Sequence, residues 1–238
     1  IGQSSYEKYL DDLLNIWKDS ARVLKPNGKL CINTPILPIS KEVISNQHTR
    51  HLKNINNDIE FSILNHTQLQ RYSLYIWKKQ TSVKMFGSYP YPPNIYEDNT
   101  IEFVNVFVKP GKPKIVSKQA KNASKIPQDL WLELTKQIWP IYPKDVRRTG
   151  GHPAPFPLEL PARLILMYSF KECPEKDFKG DVILDMFNGT GATCEAAQLL
   201  GRNFVGFEIS PTYVKMSEER IKEAFKRNKH KQKKLAFA

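Results

Sequence analysis

Acidic residues are scarce beside basic ones, 24 Asp and Glu against 36 Lys and Arg, leaving a formal net charge of +12 and a pI near 9.5. Such a surplus favours a polyanionic partner, although charge by itself does not choose one. Cysteine is also sparse. Cys31, Cys173 and Cys194 are scattered with neither a metal-like spacing nor a disulfide framework, which fits a reducing compartment. His48 and His51 have no third ligand nearby, so a solvated loop is the simpler account and no metal is expected. No apolar stretch approaches the ~20 residues of a membrane span and no signal peptide is visible. A cytoplasmic location with no membrane partner is therefore expected. Internal repeats are also lacking, which sets aside solenoids. The chain begins at Ile1 rather than Met.

What is present supports a real core. With 238 residues, 40% of them hydrophobic, and four Trp, the length suits one large α/β domain or a domain plus a small insert. Tyr6 to Leu24 places Leu10, Leu13, Leu14, Trp17, Ala21 and Leu24 on one helical face, and Lys25-Pro26-Asn27-Gly28 ends it. Lys29 to Asn33 reads as a strand. Ile36 to Asp58 reads as polar loop with one helical piece, Thr67 to Tyr72 as the end of a helix, and Ser73 to Trp77 as a strand. Gly87 to Asn94 is a proline-rich loop unsuited to helix or central strand. Glu102 to Lys109 returns as a strand, suggesting an antiparallel pair at one sheet edge. Asp129 to Trp139 and Leu158 to Phe170 are expected helices.

The densest signal lies between Asp181 and Glu208. Val182, Ile183 and Leu184 form an apolar run suited to a strand buried on both faces. Asp185 follows, and Gly189 and Gly191 permit a tight turn with close backbone approach to a ligand. Ala192 to Leu200 has helical spacing with Gly201 as its stop, and Phe204 to Phe207 is a second strand closed by Glu208. A β-turn-α-β unit with an acid at its second strand tip binds a nucleoside: amides meet polar groups and the acid accepts from ribose hydroxyls. Glu208 lies 23 residues after Asp185, close to the customary offset. The dinucleotide fingerprint is incomplete, because Cys194 stands where its third glycine or alanine would be. A last helix starts at Ser210-Pro211 and is expected to fray into a basic tail, Lys226 to Lys234.

Between Lys109 and Gly151 the character changes. Lys109, Lys112, Lys114, Lys118, Lys121 and Lys125 follow one another closely, interleaved further on with Trp131, Trp139 and Tyr142. A charge run is commonly only a solvated face, but alternation with aromatics suits phosphate contacts plus packing on bases or sugars.

Four segments, taken in order, resemble the beta-class DNA amino-methyltransferases. They are Leu24 to Leu30, His152 to Pro157, Leu184 to Thr193 and Gly201 to Glu208, and the likeness covers nearly the whole chain. The resemblance implies a Rossmann-like α/β methyltransferase fold with a mixed, mostly parallel sheet and a target-recognition insert. It implies a catalytic half at 1–108, target recognition at 109–151, and a cofactor half with a basic tail at 152–238. S-adenosyl-L-methionine would be held by Asp185, Phe187, Asn188, Gly189, Thr190, Gly191, Ala192 and Thr193. Glu208 would take the ribose, Phe207 or Ile209 would flank adenine, and His152, Pro153 and Phe156 would wall the methionine end. Ser88, Tyr89, Lys112, Lys114, Arg147 and Arg148 would contact double-stranded DNA. A cognate restriction endonuclease acting on the same site is the further implied partner, for a monomer or homodimer. Phe156 stands where many adenine-specific members carry lysine, which tilts the expected target toward N4 of cytosine over N6 of adenine.

One departure bears on the chemistry. The family's catalytic loop, an Asp, Asn or Ser followed by Pro-Pro and an aromatic residue, has no match in residues 1–5, and Tyr91-Pro92-Pro93-Asn94 has reversed flanks. The loop is accordingly expected upstream of Ile1. Two alternatives stay open: a catalytically incomplete DNA-binding relic or accessory subunit, and a methyltransferase acting on RNA or protein.

Overall fold

The computed structural model describes residues 5–39, 51–79, 86–142, 157–174 and 178–236. They group into two compact units, Ile1–Lys114 with Lys136–Pro140, and Ile115–Thr135 with Ile141–Ala238.

The first unit starts with helix α1, Tyr6–Val23, whose N-cap Ser5 accepts a bond from the Lys8 amide. Its apolar stripe buries Leu13, Trp17 and Ala21. Asn27, at φ 62, makes the turn into β1, Lys29–Thr34, where Leu30, Ile32 and Thr34 face inward in strict alternation. Helix α2, Ile55–His66, packs on α1 and buries Ile55, Ile59 and Ile63 along one face. The sheet holds β1, β4 (Gln70–Lys78), β7 (Ile101–Val108) and β8 (Ile138–Pro140), in the order β1-β7-β4-β8. Strand β7 is antiparallel to both neighbours, while β4 and β8 are parallel, so three strands share a direction and β7 opposes them. Val104, Val106 and Phe107 of β7 are wholly buried, as its central place requires. Two small ribbons complete the unit: β2 (Leu37–Ile39) with β3 (His51–Lys53), and β5 (Phe86–Gly87) with β6 (Ile95–Tyr96), which frames the proline-rich loop.

The second unit carries α3 (Lys118–Ala123), α4 (Gln128–Leu134), α5 (Glu159–Tyr168), β9 (Val182–Asp185), α6 (Ala192–Leu199), β10 (Asn203–Gly206) and α7 (Pro211–Ala236). Strands β9 and β10 are parallel in the register Asn203 to Val182 through Gly206 to Asp185, with α6 as the crossover. Ile165 of α5 packs with Ala196 and Ala197 of α6, and Ile183 and Phe204 join them from the strands. Buried Arg202 ties the end of α5 to the start of β10 by donating to Leu200 O at 2.6 Å and to Ser169 O at 2.8 Å.

The mixed α/β architecture and the β-turn-α-β unit agree with the sequence; several local readings do not. The helical piece expected within Ile36 to Asp58 is the first turn of α2, and the described residues of that stretch also hold β2 and β3, while residues 40–50 lie outside them. Asn54 caps that helix, its side chain accepting from the Asn57 amide at 3.3 Å. Residues 67–72 are not helical, since α2 stops at His66 and β4 begins at Gln70. The antiparallel pair β4 and β7 forms the middle of the sheet, not its edge, because β1 and β8 flank it. Asp129 to Trp139 divides into α4 and β8: the Thr135 hydroxyl bonds Trp131 O at the helix end, and Trp139 pairs with Trp77. Strand β9 is not buried on both faces among the described residues, where Val182 and Leu184 are exposed. The basic stretch after Lys226 continues α7 to Ala236 rather than fraying. His48, of the histidine pair, lies outside the described residues.

Candidate functional site: the glycine turn and its acidic tip

The β9–α6 turn passes through two left-handed positions, which glycine adopts at the least cost. Gly189 has φ 51 and Gly191 φ 86. The Asp185 carboxylate accepts from the Phe187 amide at 3.0 Å, and the Gly191 amide donates to Asn188 O at 2.8 Å. Beyond the strand ends, the Phe207 amide donates to Asp185 O and the Asn188 amide to Phe207 O, both at 2.9 Å, so the turn is laced to the tip of β10. Gly206 is required by proximity: a Cβ there would stand 2.8 Å from Asn188 Cγ and 2.9 Å from Cys194 Sγ.

Glu208 closes the arrangement. One carboxylate oxygen accepts from the Gly189 amide at 2.8 Å and the other from the Ser210 amide at 2.9 Å. A carboxylate has about four lone-pair directions, so two remain for a ligand's hydroxyls while the backbone fixes the group's orientation. Phe207 is 59% exposed and Ile209 fully so, which leaves apolar surface on both sides of that carboxylate. The expected residues Asp185, Phe187, Asn188, Gly189, Thr190, Gly191, Ala192, Thr193 and Glu208 thus lie in one turn and the strand tip beside it. Cys194, buried beneath the turn, has its thiol pushed up to about 12 by desolvation and then by the Asp185 charge, which makes it a packing group rather than a nucleophile.

The arrangement rests on groups that sequence reasoning passed over. Asn188 Nδ2 donates to Ser217 Oγ at 2.8 Å, and buried Glu195 accepts from both Arg220 and Arg227 of α7. Glu195 was legible as an anomaly: a carboxylate between Cys194 and Ala196, on a helix whose neighbours are small and apolar, needs a buried partner. Arg220 and Arg227, seven residues apart on one helix face, were the candidates.

Of the other expected contacts, four lie in the first unit and five outside the described residues. Ser88 and Tyr89 sit at an exposed loop tip of the first unit, and Lys112 and Lys114 are exposed there as well. His152, Pro153, Phe156, Arg147 and Arg148 lie outside the described residues. Two members of the basic, aromatic run are structural instead. Lys109 donates to Ala21 O at 2.7 Å and Arg22 O at 3.2 Å, capping α1, and Trp139 is fully buried, stacked on Tyr75 with ring centroids 4.3 Å apart. Trp139 is therefore not available to DNA. Trp131 and Tyr142 remain exposed. Among the described residues no helix is long and apolar enough to cross a membrane.

The family model described as DNA methylase, for N6 and N4 methyltransferases, matches residues 1–219. The chain belongs to that family. The chain is 33% identical over 221 residues to the type II methyltransferase M.MjaI of Methanocaldococcus jannaschii, covering 88% of this chain and 66% of the relative. It is 29% identical over 240 residues to the type II methyltransferase M.MthZI of Methanothermobacter thermautotrophicus, covering 94% of this chain and 62% of that one. It therefore spans less than two thirds of the length of either relative. Among solved structures it resembles a Thermus thermophilus protein provisionally described as a DNA modification methylase and crystallised with S-adenosyl-L-methionine. That match has a TM-score of 0.75 at 28% identity and covers 92% of this chain and 79% of the other. The PvuII cytosine-N4-specific DNA methyltransferase, at 20% identity and a TM-score of 0.64 over 94% of this chain and 80% of that one, shares the fold. The chain thus has the Rossmann-like α/β fold of S-adenosylmethionine-dependent methyltransferases.

Proposed function

We propose that the protein is a DNA amino-methyltransferase that takes methyl from S-adenosyl-L-methionine to an exocyclic base amine, as the modification component of a restriction system. The observation that carries this reading is Glu208, clamped by the Gly189 and Ser210 amides at the tip of a parallel β-turn-α-β unit, with unused acceptor directions beside exposed Phe207. The group supplies an electrophilic sulfonium methyl. Asp185, Phe187, Asn188 and Gly189 to Thr193 would hold its amino-acid and sugar portions, Glu208 would orient the ribose, and His152, Pro153 and Phe156 would stand by the methionine end.

An exocyclic amine delocalises its lone pair into the ring and is a poor nucleophile. Acceptors for its hydrogens and a stacking partner for the base would localise that pair, with catalysis by positioning and electrostatics. No residue of this sequence is assigned that role. The base must leave the duplex first, at a cost of a few kcal/mol. Ser88, Tyr89, Lys112, Lys114, Arg147 and Arg148 are proposed to contact the duplex, with 109–151 as target recognition. Phe156 supports N4 of cytosine over N6 of adenine as the acceptor.

Mass spectrometry of nucleosides from duplex DNA treated with the full-length protein and isotopically labelled cofactor tests this. The expected product is labelled N4-methylcytosine. N6-methyladenine would reverse the base assignment, and label appearing only in RNA or protein would overturn the reading.

A further inference from the structure

Within the turn Gly189-Thr190-Gly191, only Thr190 has a side chain by which the rest of the protein can hold the backbone. Both neighbours are left-handed glycines, at φ 51 and 86, with ready access to other conformations. Thr190 is held by Arg220 of α7, whose Nη1 lies 3.4 Å from the Thr190 hydroxyl while its Nε donates to Glu195. Arg227, two turns further along, donates to the other Glu195 oxygen. Glu195 is only 4% exposed, so its charge fixes both guanidiniums where they stand. Ser217, one turn before Arg220, takes the Asn188 amide and sits so close to the turn that a Cβ on Gly191 would be 2.3 Å from its hydroxyl. Positions 217, 220, 224 and 227 form one helical stripe, and wholly buried Ala224 lets it approach closely.

We propose that Arg220 is a positioning residue for cofactor binding, holding Thr190, and through it the glycine turn, in the conformation that the ligand meets. A planar guanidinium can serve the Glu195 carboxylate and the Thr190 hydroxyl together, whereas an ammonium on a flexible stem would satisfy the carboxylate alone. The inference rests on the assignment of the glycine turn as the S-adenosyl-L-methionine site.

The test uses the full-length protein as Arg220→Lys, Thr190→Val and the double variant, with Glu208→Ala as a control on the pocket itself. Calorimetry gives the Kd for S-adenosyl-L-methionine, steady-state methylation gives KM and kcat, and thermal melting reports the fold. Arg220→Lys should raise Kd and KM about five- to tenfold, as for one lost charge-assisted bond. Its kcat should stay within about twofold, separating positioning of the ligand from damage to the reaction. Thr190→Val should raise Kd to a similar degree, and the double variant should be no worse than either single one, since both remove the same contact. An unchanged Kd in Arg220→Lys, full additivity in the double variant, or a fall in kcat and melting temperature with Kd unmoved would overturn the proposal. Should Arg220→Lys not fold, an unchanged Kd in Thr190→Val, which leaves the Glu195 pair intact, still overturns the proposal. If Glu208→Ala leaves Kd unchanged, the pocket assignment fails and the positioning role falls with it. If Glu208→Ala weakens binding and Thr190→Val does not, only the positioning role fails.

Discussion

Glu208 and Gly191 show how much of the site depends on single residues. Removing the Glu208 carboxylate deletes the proposed ligand acceptor and strands the Gly189 and Ser210 amides. Glu208→Ala should therefore weaken S-adenosyl-L-methionine by roughly 1–3 kcal/mol in calorimetry. Gly191→Ala combines a φ of 86 with a Cβ 2.3 Å from Ser217 Oγ, so either the turn or α7 must shift. A stability loss of about 1–3 kcal/mol is expected in denaturant titration. Cys194 gives a pH prediction. Its folded thiol titrates at about 12 against an ordinary 9.0, so above pH 9 the unfolded chain releases a proton that the folded chain keeps. Its contribution is full below pH 9 and is lost as pH rises from 9 toward 12. Cys194→Ser should flatten the melting temperature over that window relative to the parent. Glu208, Gly189 and Gly191 were legible because turn chemistry and strand ends are local in sequence. Glu195 was legible only as an anomaly, and Ser217 and Arg220 only as possible partners, because what each does depends on a helix more than twenty residues away closing onto the turn.

At the scale of elements, the strongest periodicities held and the ambiguous ones were decided by packing. Helix α1 was readable from its apolar stripe. Strand β8 was not: Ile138-Trp139-Pro140 continues an apolar helical pattern, yet pairing with β4 and stacking on Tyr75 make it a strand. A short apolar run carries no label for helix or strand, and a tertiary partner supplies it. Trp139→Ala should accordingly cost about 3–5 kcal/mol through the void left in the first unit, read by chemical denaturation. Trp139→Phe, which keeps a ring against Tyr75, should cost clearly less. Lys109 teaches the same lesson from the surface. In sequence it begins a basic run, but in the fold its ammonium caps the carbonyls ending α1.

For the whole molecule, the excess of twelve positive charges favours a polyanionic partner, and the number of phosphates met would set how such binding responds to salt. If Lys112 and Lys114 meet phosphates, Lys112→Gln with Lys114→Gln should reduce the slope of log affinity against log salt by about one unit per lost contact. The weakening should be similar for all duplex sequences, as backbone contacts dictate. Fluorescence anisotropy across a salt series measures it, and an unchanged slope would remove both lysines from the interface. By itself the sequence determined the α/β class, the family, the β-turn-α-β unit and the acid at its tip, because hydrophobic period, glycine placement and strand-end chemistry are properties of neighbouring residues. Only the tertiary structure decided that β7 lies inside the sheet, that Trp139 is core rather than surface, and that α7 braces the glycine turn. Strand order, burial and long-range ion pairs arise from distant segments competing for the same space, and no local pattern encodes the outcome of that competition.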